Sequence, residues 1–286
     1  MITLVDFIVQ EQTNINRNTD GHIHLFDCVT SNIFDIYKPI KTFKKFVGFM
    51  GVDFHQLRKY TPSQIMGYYR RFIGECDLNN TILLASALDS QTTIEIYKKY
   101  PNIIKGFGEL LCYDKYDDID LPYANLKWVD EILEFNSTLD QPLPVYIHYS
   151  LISDERYELM DELLSKYPGI PIVLCHCGIP NKHEGYYINE FGSIYERFLK
   201  LHHKYQNLYS DVCDGASKYF EKNPSQIYKL DLNRMIIGTD LGAVYLRTNE
   251  REKNKKISSV LKKFSNYGNI INTKKTIEKN IQFIIP

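Results

Sequence analysis

Six short apolar runs, at 81–87, 103–108, 143–147, 170–175, 207–212 and 234–238, punctuate the chain. Strands covered on both faces read this way, because neither alternating set of side chains meets water. Stretches of helical period lie between them. One spans 92–100 and is closed by Pro101; others span 123–135 and 154–167, the latter closed by Pro168-Gly169. A further one, 190–205, places Ile194, Phe198 and Leu201 at helical spacing, so one face packs on a sheet. An opening strand near Ile23 and a faint second one between Phe34 and Val52 bring the count to eight. Eight strands alternating with helices over this length predict an α/β fold, a closed (β/α)8 TIM barrel. An open doubly wound sheet has the same alternation and stands as the structural alternative.

No repeat, linker or shift of composition divides the chain, so 1–286 reads as a single barrel domain with residues 1–19 as an N-terminal extension. The lysine-rich stretch at 250–263 is followed through by Ile257, Val260, Leu261 and Phe264 at helical spacing, which favours a solvated helix face over a nucleic-acid patch. Composition adds exclusions. With 44% hydrophobic and 24% charged residues in 286, the chain is that of an ordinary globular protein with a sizeable core. Lys plus Arg total 34 against 35 Asp plus Glu, so no global basic field advertises nucleic acid or an anionic membrane. No apolar run approaches the roughly 20 residues of a bilayer span, and the opening residues lack a signal-peptide pattern, so a cytoplasmic location is expected. The six cysteines, 28, 76, 112, 175, 177 and 213, have no framework spacing and suit reduced thiols.

Asp20-Gly21-His22-Ile23-His24 carries the strongest chemical signal. Residues i and i+2 of a strand share a face, so the imidazoles of His22 and His24 can face one cation. His148 follows the run at 143–147, His176 follows 170–175, Asp240 follows 234–239 and Glu109 follows 104–108. Each is a metal-competent group at the carboxyl end of a predicted strand, where barrel enzymes keep their chemistry. A lone polar residue after a strand is more often a helix cap, but here they coincide with the His-x-His. Imidazoles and carboxylates suit Zn2+, Mn2+, Fe2+ or Ni2+, with Zn2+ as the default. Cys175 and Cys177 flank His176, and strand alternation points them away from it. His202 and His203 lie on a charged helix and are expected to be exposed; His183 follows the sixth strand beside Lys182 and Glu184 and is within reach of a substrate.

The order His22-x-His24, a carboxylate after the fourth strand, His148, His176 and Asp240 resembles the amidohydrolase superfamily, especially the amidohydrolase-related branch (amidohydrolase 2) that also holds aminocarboxymuconate semialdehyde decarboxylase. Asp20 to Leu25 is similar to that family's opening strand, Leu174-Cys175-His176-Cys177-Gly178 to its sixth and Ile236-Ile237-Gly238-Thr239-Asp240 to its eighth. The resemblance implies a distorted (β/α)8 barrel with one or two divalent metals. The equivalents of His22, His24 and Asp240 would bind the first, with that of His148 joining in mononuclear members. In binuclear members Glu109 would be the bridge, and His148 with His176 would hold the second ion. Lys105 stands too early in its strand to be a bridging lysine. A homodimer is common among relatives.

A divalent ion lowers the pKa of a water towards about 7 and polarises the oxygen under attack. Asp240 would then accept that water's proton and pass it to the leaving group, while His176, where it is not a ligand, would hydrogen-bond the oxyanion. The expected function is hydrolysis of an ester, lactone, amide or phosphoester of a small molecule. The same branch performs nonoxidative decarboxylation of carboxylated aromatic or unsaturated acids, which needs a cation such as Arg58, Arg70, Arg71 or Arg247 for the substrate carboxylate. A silent metal-binding barrel is the non-enzymatic alternative. Substrate choice is expected in the loops, such as 179–188 with Tyr186 and Tyr187.

Overall fold

The computed structural model describes residues 61–75, 81–112, 125–180, 191–231 and 234–238, together with the backbone of 19–24, 45–49, 115–116 and 119–120. The strands are β1 (Thr19–His24), β2 (Lys45–Phe49), β3 (Thr81–Ala85), β4 (Ile104–Leu111), β5 (Lys115–Tyr116), β6 (Ile119–Asp120), β7 (Val145–His148), β8 (Ile172–Leu174), β9 (Leu208–Val212) and β10 (Met235–Ile237). The helices are α1 (Pro62–Glu75), α2 (Ser90–Lys99), α3 (Lys127–Ser137), α4 (Asp154–Lys166), α5 (Phe191–Lys204) and α6 (Asp214–Lys222).

Eight strands form one sheet in the order β1-β2-β3-β4-β7-β8-β9-β10, and every neighbouring pair is parallel. β5 and β6 make a separate antiparallel pair. Because every pair is parallel, all eight carboxyl ends lie on one edge. The sheet curls far enough to bring Cα atoms of β1 and β10 within 8 Å, although the ladders described join only chain neighbours. Each strand expected from the apolar runs is present, the faint second one as β2. β4 is longer than expected: it continues through Glu109 to Leu111, so Glu109 sits within the strand rather than after it.

The crossover helices cover the sheet with the faces their spacing predicts. α3 buries Val129, Ile132 and Leu133. Tyr97 of α2 and Phe135 of α3 meet Phe107 of β4, with ring centroids 5.5 and 6.3 Å from Phe107. Helix starts are fixed by side chains that take otherwise unpaired amides. Asp89 accepts the Thr92 N–H at 2.6 Å, and Ser153 accepts that of Arg156 at 3.2 Å. The Asn136 amide donates to the Leu143 carbonyl at 2.7 Å and accepts the Leu143 N–H at 2.9 Å, which ties α3 to the chain entering β7.

Two helices are additions to the pattern read from sequence, α1 and α6. In α1, Ile65, Tyr68, Tyr69 and Phe72 are buried at helical spacing. His202 corrects the expectation of an exposed pair: it is fully buried against Phe198, while His203 is exposed. Its Nε2 accepts the Asp231 N–H at 3.2 Å. The helix expected near 257–264 lies outside the described residues. No helix among those described is long and apolar enough to cross a membrane.

Candidate functional site

Glu109, His148 and His176 converge at the carboxyl edge of the sheet, supplied by β4, β7 and the turn after β8. All three are buried, at 2%, 3% and 3% exposure. Glu109 Oε1 lies 2.9 Å from His148 Nδ1 and 3.6 Å from His176 Nε2. The two imidazoles stand edge to face with centroids 4.7 Å apart. Burying a carboxylate here without a counter-charge would be expensive, and the rings around it are donors or ligands rather than apolar walls.

The position of His176 depends on an unusual backbone. β8 stops at Leu174, and Cys175–Gly178 forms a tight turn in which His176, Cys177 and Gly178 have φ of 57°, 56° and 66°. Non-glycine residues resist this left-handed conformation by roughly 1–2 kcal/mol each, so neighbouring groups must hold it. Two consecutive polar residues of β9 do so. Ser210 Oγ accepts the Cys177 N–H at 2.9 Å and donates to the Leu174 carbonyl at 2.6 Å. Asp211 Oδ1 accepts the His176 N–H at 2.7 Å. Gly178 is required where it stands, since a Cβ there would meet Leu151 Cγ at 2.8 Å on top of the positive φ.

The turn also changes the reading of the flanking cysteines. Alternation ends with β8, so it does not direct Cys175 and Cys177 away from the site. Cys175 lies beside both carboxylates: burial pushes its thiol well up, and Asp211 and then Glu109 push it further. Cys213, the residue directly after β9, places Sγ 3.1 Å from His176 Nδ1 and 3.3 Å from Asp211 Oδ1. Cys112, Cys175, Cys177 and Cys213 are all buried thiols.

Asp211 and Cys213 are absent from the residues picked out by sequence reasoning. The signal was present as Ser210-Asp211 interrupting an otherwise apolar strand. Of the residues that were picked out, the structure brings Glu109, His148 and His176 together. His24 ends β1 as His148 ends β7, so both backbones reach the same edge of the sheet, with His22 two residues earlier in β1. Asp240, His183, Arg58, Arg247 and the loop residues Tyr186 and Tyr187 lie outside the described residues. Arg70 and Arg71 are exposed on α1, whereas the cluster is buried.

A cation fits this donor set. Bonds of about 2.0–2.2 Å in a tetrahedral shell put donors roughly 3.3–3.6 Å apart, which the 3.6 Å from Glu109 Oε1 to His176 Nε2 meets, while the 2.9 Å to His148 Nδ1 is a hydrogen-bond distance. The ligand-competent atoms of all three residues lie within 4.8 Å of one another. A second group, His176, Asp211 and Cys213, meets the same limit.

No protein-family model and no curated protein matches the sequence. Solved structures do match. An amidohydrolase from Burkholderia multivorans with bound zinc aligns with a TM-score of 0.54 at 9% identity, over 88% of this chain and 92% of its own. An amidohydrolase structure from the same organism with bound HEPES aligns at 0.53 and 8% identity over the same shares. Agreement in fold at such low identity means that the arrangement of elements, rather than the wording of the sequence, is what the chains share, and this chain has the fold of the amidohydrolases that its strand-end motifs resemble.

Proposed function

We propose that this chain is a metal-dependent hydrolase of the amidohydrolase type, acting on an ester, lactone, amide or phosphoester of a small molecule from a complete (β/α)8 barrel. The observation that supports it most is the buried convergence of Glu109, His148 and His176 on the carboxyl edge of a parallel sheet. That edge is where barrel enzymes assemble catalytic groups from different strands.

Glu109, His148 and His176 would hold a divalent ion, Zn2+ by preference, and His22, His24 and Asp240 complete the proposed ligand set for one or two ions. Bound there, the ion supplies Lewis acidity and lowers the pKa of a water into the neutral range. The chain's own residues do the rest. Asp240 accepts the proton of the attacking water and returns it to the leaving group. Glu109 brings a negative charge to the site, which favours a bound cation. The turn at Cys175–Gly178 holds His176 at a fixed distance from Glu109, which keeps the site preorganised.

Purified protein should carry close to stoichiometric divalent metal by plasma emission. It should hydrolyse a member of a panel of lactones, esters, amides and phosphoesters, lose that turnover to a chelator and regain it with Zn2+. Release of CO2 from carboxylated aromatics without hydrolytic turnover would overturn the reading in favour of decarboxylation. Absence of bound metal after reconstitution would overturn both.

A further inference from the structure

We propose that Cys213, anchored by Asp211, is a positioning residue that fixes the tautomer of His176. A neutral imidazole carries its proton on one nitrogen, and the hydrogen bond made by that nitrogen decides which one it is. Nε2 of His176 faces Glu109 Oε1 at 3.6 Å and Nδ1 faces Cys213 Sγ at 3.1 Å, so the two nitrogens look into different surroundings.

The direction of each bond follows from what its partners can do. Asp211 Oδ1 already accepts the backbone N–H of His176 at 2.7 Å, so it stands as the acceptor of this cluster. The Cys213 thiol therefore gives its proton to Asp211 Oδ1, 3.3 Å away. Sulfur then presents lone pairs to His176, and Nδ1 must be the donor. The direct Nδ1 to Asp211 Oδ1 separation of 3.7 Å is too long for a hydrogen bond, whereas the thiol lies within reach of both atoms. The chain His176 Nδ1–H to Cys213 Sγ–H to Asp211 Oδ1 turns the Nε2 lone pair to the side of Glu109. All three side chains are buried, so water does not compete for these bonds.

This arrangement does for His176 what a carboxylate or carbonyl does behind many metal-binding imidazoles, with a thiol in between. The same three groups read as a separate thiolate-containing cation site would need the Cys213 proton removed and Asp211 Oδ1 turned from the amide it already serves, so the hydrogen-bonded reading uses the observed contacts more fully.

The test has one readout in metal-free protein and one with Co2+; only the second rests on the proposed role of His176 as a ligand. Nitrogen-15 NMR of histidine-labelled metal-free protein, with His176 assigned by comparison with His176→Gln, should show Nδ1 protonated and Nε2 unprotonated. Cys213→Ala should shift the population towards Nε2–H, and Cys213→Ser, which keeps a donor and an acceptor, should restore it. Co2+ affinity should fall roughly 10–100-fold in Cys213→Ala and recover in Cys213→Ser. A protonated Nε2 in the unmodified protein would overturn the proposal, as would an unchanged tautomer in folded Cys213→Ala. A thiolate-to-cobalt charge-transfer band that disappears in Cys213→Ser would also overturn it, by making Cys213 a ligand. If Cys213→Ala does not fold, the unmodified protein and Cys213→Ser still decide the matter. Correct tautomer control without cation binding would count against the hydrolase reading alone.

Discussion

Glu109 Oε1 lies 2.9 Å from His148 Nδ1, and neither side chain meets solvent. A pair this close is either a hydrogen bond between the ring and the carboxylate or two ligands of one cation. Glu109→Gln separates these readings, because it preserves shape and hydrogen bonding while removing the charge. A cation present at 100 times its dissociation constant should stabilise the unmodified protein by about 2.7 kcal/mol, seen as a rise in Tm on adding Zn2+. Most of that increment should vanish in Glu109→Gln, together with turnover. An equal Zn2+-dependent rise in both proteins would remove Glu109 from the ligand set.

The left-handed turn after β8 makes a second prediction. Ser210→Ala leaves the Cys177 N–H and the Leu174 carbonyl without the hydroxyl that pairs them, a loss of about 1–3 kcal/mol in urea unfolding. Gly178→Ala adds a Cβ at φ 66° against Leu151 and should lose at least as much. Full stability in either variant would mean that the turn is not held in the way its contacts indicate.

The contrast between these residues shows what the sequence exposed. Glu109, His148 and His176 were legible because each interrupts or ends an apolar run and all three coincide with the His-x-His of the first strand. Ser210 and Asp211 were hidden within a run read as continuously buried, since their value comes from amides 33 and 35 residues away. The φ of His176 and Cys177 was equally hidden, because tertiary hydrogen bonds rather than residue preference impose it. Only Gly178 hinted at a turn. The same reasoning covers His202: its place near the charged end of α5 suggested solvent, but Phe198 and the chain at Asp231 close over it.

Burial also predicts the behaviour of the thiols. Cys112, Cys175 and Cys177 are all pushed up by desolvation; the Asp211 carboxylate adds to this for the latter two, and that of Glu109 for Cys112 and Cys175. Since the thiolate is the reacting form, these three should resist iodoacetamide in the native protein at neutral pH and react promptly in denaturant. Peptide mapping by mass spectrometry after a short exposure checks this. Rapid native labelling at Cys175 would mean that the cluster beside Glu109 is open to solvent.

His202 should set part of the protein's acid sensitivity. Desolvation first, and then the nearby Arg234 charge, hold its pKa down from 6.5 to about 3. Between these values the unfolded chain binds a proton that the folded chain does not, so the contribution of His202 is fully present above about pH 6.5 and is lost as pH falls towards 3. The slope from this single group approaches about 1.4 kcal/mol per pH unit within the window. His202→Gln keeps an acceptor for the Asp231 N–H and cannot titrate, so its unfolding free energy should change less steeply over pH 4–6.5 than that of the unmodified protein. Urea unfolding across that range measures both slopes. Parallel curves would mean that His202 takes up its proton in the folded state without resistance, and the buried, neutral imidazole described here would be wrong.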